Sequence, residues 1–257
     1  MGVFQRLHQY HEFLMTNIHK EIRGKYKKSF LGILWSFLNP LLMLMVYAII
    51  YPIILKSPEK NYTMFLMTAL IPWNFFTACI TQGTSVIIAN GNILKKVYFP
   101  REILPISTVT SGLVNFLISC IIICIFLIFS GIGFSKYLIF FPLYVFIEYI
   151  LILGIVFILS AITVYLRDLE HIVGVVIQVL FFGTPIVYSL SAIPAGFSWV
   201  FKLNPMSYIV QGFRDILYYQ KMPDLAGLAL ITAFSFILLF VGYHIFSKLQ
   251  RKFAEEL

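Results

Sequence analysis

Apolar residues gather along this chain in long blocks separated by short polar connectors. The blocks lie at about 30–55, 63–88, 106–129, 138–166, 172–190 and 225–246. A helix needs about 20 apolar residues to cross a hydrocarbon core of ~30 Å, and only helices or closed barrels satisfy their backbone there. The pattern predicts an all-α integral membrane protein with six transmembrane helices. Ahead of the first block, Phe4, Leu7, His11, Leu14, Ile18 and Ile22 recur at steps of three and four, with Tyr10 and Phe13 beside them. Glu12, Lys20, Glu21 and Arg23 fall off that stripe. This predicts an amphipathic interfacial helix ended at Gly24. A basic collar of Lys25, Lys27 and Lys28 follows.

Two spans are interrupted, by Asn39-Pro40 and by Gly183-Thr184-Pro185. Proline removes an intrahelical hydrogen bond, so the freed carbonyl needs another partner. The stretch 191–224 is mostly apolar but breaks at Asn204-Pro205, leaving two pieces each too short to span. Trp199, Tyr208, Tyr218 and Tyr219 are aromatics suited to the headgroup boundary. The expectation is a re-entrant helical hairpin between the fifth and sixth spans, the alternative being a hairpin resting on the outer surface. The chain then reads as a single transmembrane domain, 1–257. Residues 1–29 form the cytoplasmic helix and collar, and 30–190 hold spans one to five. Residues 191–224 form the external re-entrant segment, and 225–257 carry the sixth span and tail.

Composition agrees with this reading and adds orientation. Of 257 residues, 60% are hydrophobic and 12% charged, against roughly 25% charged in soluble domains, and the mean hydropathy is +0.90. A disordered chain, a disulfide-stapled secreted domain and a soluble single-core enzyme are excluded. The net charge of +8 reflects topology rather than nucleic acid, because 13 of the 19 Lys and Arg fall in connectors on one side. That side, with both termini, is the cytoplasmic one. The first 29 residues are too polar for a cleaved signal peptide. Cys79, Cys120 and Cys124 all lie in apolar runs and read as small hydrophobes.

Catalytic motifs are missing from the sequence. There is no phosphate-binding glycine loop, no zinc spacing and no nucleophile elbow. Glu148 is the only acid well inside a span, and one carboxylate cannot act as both acid and base. No metal site is expected, and the chain cannot hydrolyse ATP alone. Glu148 should face protein or water, with Lys202 or Arg214 of the following segment available to neutralise it. Polar residues at helical spacing mark two spans: Thr77, Thr81 and Ser85 in the second, near Asn74 and Gln82, and Ser107, Ser111, Asn115 and Ser119 in the third. The third reads as helix packing. The second reads equally as packing or as a hydrophilic path.

Taken together, Tyr26-Lys27-Lys28-Ser29-Phe30-Leu31-Gly32-Ile33-Leu34-Trp35-Ser36-Phe37-Leu38-Asn39-Pro40, Ile71-Pro72-Trp73-Asn74-Phe75-Phe76 and Lys95-Lys96-Val97-Tyr98-Phe99-Pro100-Arg101-Glu102 carry a resemblance. Tyr165-Leu166-Arg167-Asp168-Leu169-Glu170, Phe182-Gly183-Thr184-Pro185 and Leu203-Asn204-Pro205-Met206 extend it. The chain resembles permeases of bacterial ABC exporters for polysaccharides and polyol phosphates, the O-antigen, capsule and teichoic acid export type. The resemblance implies two copies of this chain with two separate ATPase subunits that hold ATP and Mg. It also implies a substrate of undecaprenyl-diphosphate-linked glycan or polyol phosphate polymer in the bacterial cytoplasmic membrane. Lys95, Lys96, Tyr98, Phe99, Arg101 and Glu102 would form a coupling helix seated in the ATPase. Arg167, Asp168 and Glu170 would form a second contact. Trp35, Phe37, Trp73, Thr77, Thr81 and Gln178 are the expected path lining. Asn204 and Pro205 form the break of the re-entrant pair. A drug or small-lipid permease and, more remotely, a lipid-phosphate transferase remain as alternatives.

Overall fold

The computed structural model describes residues 9–26, 61–97, 99–190 and 198–257, with scattered positions between 35 and 49 and at 193 and 196. Most of the expected first span lies outside these residues. Every regular element among them is helical: α1 His11–Tyr26, α2 Tyr62–Ala89, α3 Gly91–Leu94, α4 Ile103–Phe129 and α5 Phe141–Thr163. α6 Leu169–Phe182, α7 Ser198–Leu203, α8 Pro205–Leu217, α9 Leu225–Leu249 and α10 Phe253–Glu256 follow. Four are long and apolar enough to cross a membrane: α2, α4, α5 with its preceding 3-10 turn, and α9 with its following one. The protein is an integral membrane protein on that ground.

α2 is the central helix. It packs against α4, α5, α6 and α8, while α5 pairs along its length with α9. The α5–α9 crossing is tight because both helices carry glycine there. A methyl on Gly242 would overlap the Gly154 carbonyl, and one on Gly154 would come within 2.8 Å of Leu239 N. Removing side chains at a crossing lets backbones approach, which in lipid is a main source of helix association.

α1 departs from its expected form in two ways. The helix continues through Gly24 to Tyr26, since nothing lies within 4 Å of Gly24 to force a turn and a helical glycine costs only about 1 kcal/mol. Its covered side includes Phe13, Asn17 and Ile18 and rests on α4, whereas His11 is exposed. The Phe13 and Phe99 rings meet at 4.7 Å.

α6 also differs. It stops at Phe182, fourteen residues long, whereas the apolar block ran to 190. The buried stretch Thr184–Val187 is apolar in composition but turned in conformation. Length of apolar sequence overestimates helix where irregular backbone is covered by protein. After it, α7 and α8 are separated at Asn204, whose side chain caps α8 by accepting from Met206 N at 3.0 Å. Pro205 occupies the first helical position, where its missing N–H has no cost.

Candidate functional site

Three features of this helical frame are candidates for function. The first is one face of α2. Almost all of that helix is buried, yet Ala78, Thr81 and Gln82 are exposed, with Asn74, Thr77 and Ser85 half-buried on the same stripe. An exposed stripe on an otherwise enclosed helix would be apolar if it met lipid. This one is polar, as expected of a surface that meets water, substrate or another polar element. Thr77 donates to Asn74 O at 3.3 Å. Gln178 of α6 is also exposed, and Trp35 is partly so. Trp73 is not: it is 4% exposed and packs on Phe76 and Phe181. Its place among expected path residues gives way to a joint between α2 and α6. Phe37 lies outside the described residues. The hydroxyls of the third span, now α4, serve packing, because Ser107, Ser111 and Ser119 are buried and donate to carbonyls of their own helix.

The second feature is the backbone after α6. The Arg214 guanidinium donates to Pro185 O at 2.7 Å and Ile186 O at 2.8 Å, with a longer contact to Tyr188 O at 3.5 Å. Tyr62 Oη donates to Val187 O at 2.7 Å. Asn204 Nδ2 donates to Gly183 O at 2.9 Å and to Thr184 Oγ1 at 2.8 Å. The carbonyls freed by the break are therefore met by side chains of α2, Asn204 and α8. Arg214 is 0% exposed and lies 3.6 Å over the Phe65 ring, a cation–π contact in a desolvated site. It does not serve Glu148 as expected. The Glu148 carboxylate oxygens are buried with no hydrogen-bond partner among the described residues, and Lys202 is exposed. The break was visible in sequence, but the side chains that meet it were not. No spacing rule connects residue 214 to residue 185.

The third feature is the end that carries the C-terminus. α10 brings Phe253 beneath Arg101, at 5.8 Å to the ring centroid, and against Tyr165 and Phe246. Tyr165 Oη donates to Leu249 O at 2.9 Å. The loops at 95–102 and 165–170 thus meet on one end. Lys95, Lys96, Arg167, Asp168 and Glu170 are exposed there. Phe99 and Glu102 are buried, Phe99 against Phe13 and Glu102 beside Tyr243 Oη at 3.4 Å. Neither presents a docking surface. Tyr98 lies outside the described residues. The sequence reading missed Phe253, although a lone aromatic in a charged tail was a signal that it packs. Among the described residues no group of His, Cys, Asp or Glu could hold a metal ion.

The sequence that builds these features has known relatives. Residues 12–218 match the family model of the ABC-2 type transporter. The chain is 33% identical over 255 residues to the O-antigen export system permease protein RfbA of Myxococcus xanthus, covering 98% of each chain. It is 35% identical over 245 residues to a protein of the same name from Klebsiella pneumoniae, covering 95% of this chain and 94% of that one. The Polysialic acid transport protein KpsM of Escherichia coli is 23% identical over 235 residues, 87% of this chain and 88% of its own. The matched region includes α2 with its polar stripe, both loops of the charged end and the break held by Arg214. This chain belongs to the ABC-2 type transporter family.

Proposed function

We propose that the protein is the membrane-spanning permease subunit of an ATP-driven exporter for an O-antigen-like polysaccharide carried on undecaprenyl diphosphate. The observation that carries this is near-full-length similarity to permeases named for O-antigen export. A teichoic acid polymer is the variant reading of the same machine. In this proposal the chain has six spans, with the first over about 30–55. α1 lies in the cytoplasmic interface, and α7–α8 dip in from outside as a re-entrant pair. Both termini are cytoplasmic, where Lys and Arg concentrate. The protein works as a single permease domain and is a transport component rather than an enzyme. Separate ATPase subunits bind ATP and Mg and dock on the charged end, touching Lys95, Lys96, Arg101 and Arg167.

A lipid-linked polymer needs a wide path and an exit for its lipid tail. Two copies related by a two-fold axis supply both, because the seam between identical subunits can open sideways to the bilayer. The polar stripe of α2, with Gln178 of α6 and Trp35 of the first span, would line that seam. Hydroxyl and amide side chains bind sugars weakly, which suits a chain that slides. To test the function, the chain is purified with and without a partner ATPase subunit. ATP turnover stimulated by lipid-linked glycan only in the complex is the expected result. Turnover of a lipid phosphate by the lone chain would replace this reading with a transferase.

A further inference from the structure

A cavity of about 400 Å³ lies between α5, the α7–α8 pair and the start of α9. Its size falls within the roughly 300–1,000 Å³ of small-molecule sites. Leu190, Ile193, Phe201 and Leu228 give it apolar walls. Tyr144, Ser207, Gln211 and Asp215 bring polar groups into the same space. None of these residues belongs to the α2 stripe or to the charged end.

The periodicity of α8 explains why its polar groups converge. Met206, Ile209, Val210, Phe213, Ile216 and Leu217 are buried in the apolar core. Ser207, Gln211 and Asp215 instead recur every fourth residue along one side, which the helix period places in line. That side does not face bulk water, since Ser207 is 4% and Asp215 5% exposed. Ser207 Oγ is buried and has no hydrogen-bond partner among the described residues. An unmet buried hydroxyl is unfavourable, and Ser207 stands at the cavity wall, so a ligand that reached it would relieve that cost. Gly212, on the same side, admits the Tyr144 ring to the cavity wall, because any methyl there would overlap it.

The chemistry of the lining restricts the ligand. Asp215 is paired with Lys221 at 3.3 Å and accepts from Gln211 Nε2 at 2.6 Å. The Asp224 carboxylate accepts from Ala226 N and Gly227 N, both at 3.1 Å. Asp215 is neutralised by Lys221 and Asp224 stands against Lys202, so the lining has no excess of positive charge to hold a phosphate. A purely apolar ligand would leave Ser207 unmet. A neutral ring with many hydroxyls and an apolar C–H face meets every requirement, with Phe201 and Tyr144 as flat surfaces. We propose that this cavity is a saccharide site that holds one sugar unit beside the α7–α8 pair. The proposal rests on the glycan-export reading and adds a second sugar contact outside the path.

The test uses the complex with its ATPase in lipid nanodiscs and saturation-transfer NMR. The probes are free mannose, galactose and N-acetylglucosamine, with glycerol and inorganic phosphate as controls. At least one pyranose should bind saturably, and Gln211→Leu and Ser207→Val should each weaken it about tenfold or more. Ser207→Val removes an unmet group, so it keeps the fold if the first variant does not. Absence of pyranose binding, binding unchanged in both variants, or phosphate binding in place of sugar would overturn the site. Glycan export by the wild type is measured in parallel. Export without sugar binding removes the cavity proposal alone, whereas loss of export removes the functional reading beneath it.

Discussion

Arg214 and Glu148 are both fully buried, and the fold treats them oppositely. Arg214 is surrounded by carbonyls it can donate to and by an aromatic face. Charge-assisted hydrogen bonds of this kind contribute about 1.5–3 kcal/mol each, and no lysine could reach two carbonyls with a planar fork. Glu148 has no such partners among the described residues. Replacing a buried unpaired polar group by an apolar one of similar shape is neutral or stabilising. Glu148→Met should therefore leave the melting temperature of the purified protein unchanged or raised, while Arg214→Met lowers it sharply. A loss at Glu148 as large as that at Arg214 would show a partner for the carboxylate.

At the scale of elements, the charged end separates residues that hold it together from residues free to be read by a partner. Phe99 is buried against α1, so Phe99→Ala should destabilise the protein by about 3–5 kcal/mol, lowering its melting temperature. Lys95→Ala with Lys96→Ala changes exposed positions and should shift stability by no more than ~0.5 kcal/mol at each site. Coupled ATP turnover should nonetheless fall in that pair. Normal coupling in the double lysine variant would move the docking surface elsewhere. The long helices were legible in advance, because apolar length fixes them: blocks at 63–88 and 106–129 became Tyr62–Ala89 and Ile103–Phe129. Hydroxyl spacing also located the polar face of α2. What stayed hidden was the short range of α6 and the burial of Trp73 and Phe99. An aromatic near a membrane boundary has the same composition whether it faces a path or a neighbouring helix, so only packing decides. The ligands of the broken backbone were hidden for a different reason, since their contacts join residues from 20 to 125 positions apart.

For the whole molecule, the exposed polar stripe of α2 makes a directional claim about water. In a Cys124→Ser background, which removes the exposed native thiol, cysteine at Thr81 or Gln82 should react with a membrane-impermeant reagent. Cysteine at Thr68, which is 0% exposed, should not. Export should stop when the Thr81 or Gln82 adduct is bulky. Equal protection of all three sites through the ATP cycle would mean that the stripe is sealed by protein. The bonds from Tyr62, Asn204 and Arg214 to the turn after α6 bear on motion. With Gly183, Pro185, Ile186 and Val187 all held at their carbonyls, α6 cannot slide as a free piston. A push delivered to its lower end by the 165–170 loop would travel up α6 into that turn, and from there into α2 and the α7–α8 pair. α6 is thus tied through one turn to its neighbours, so that a tilt of its base would be felt at Asn204 and Arg214.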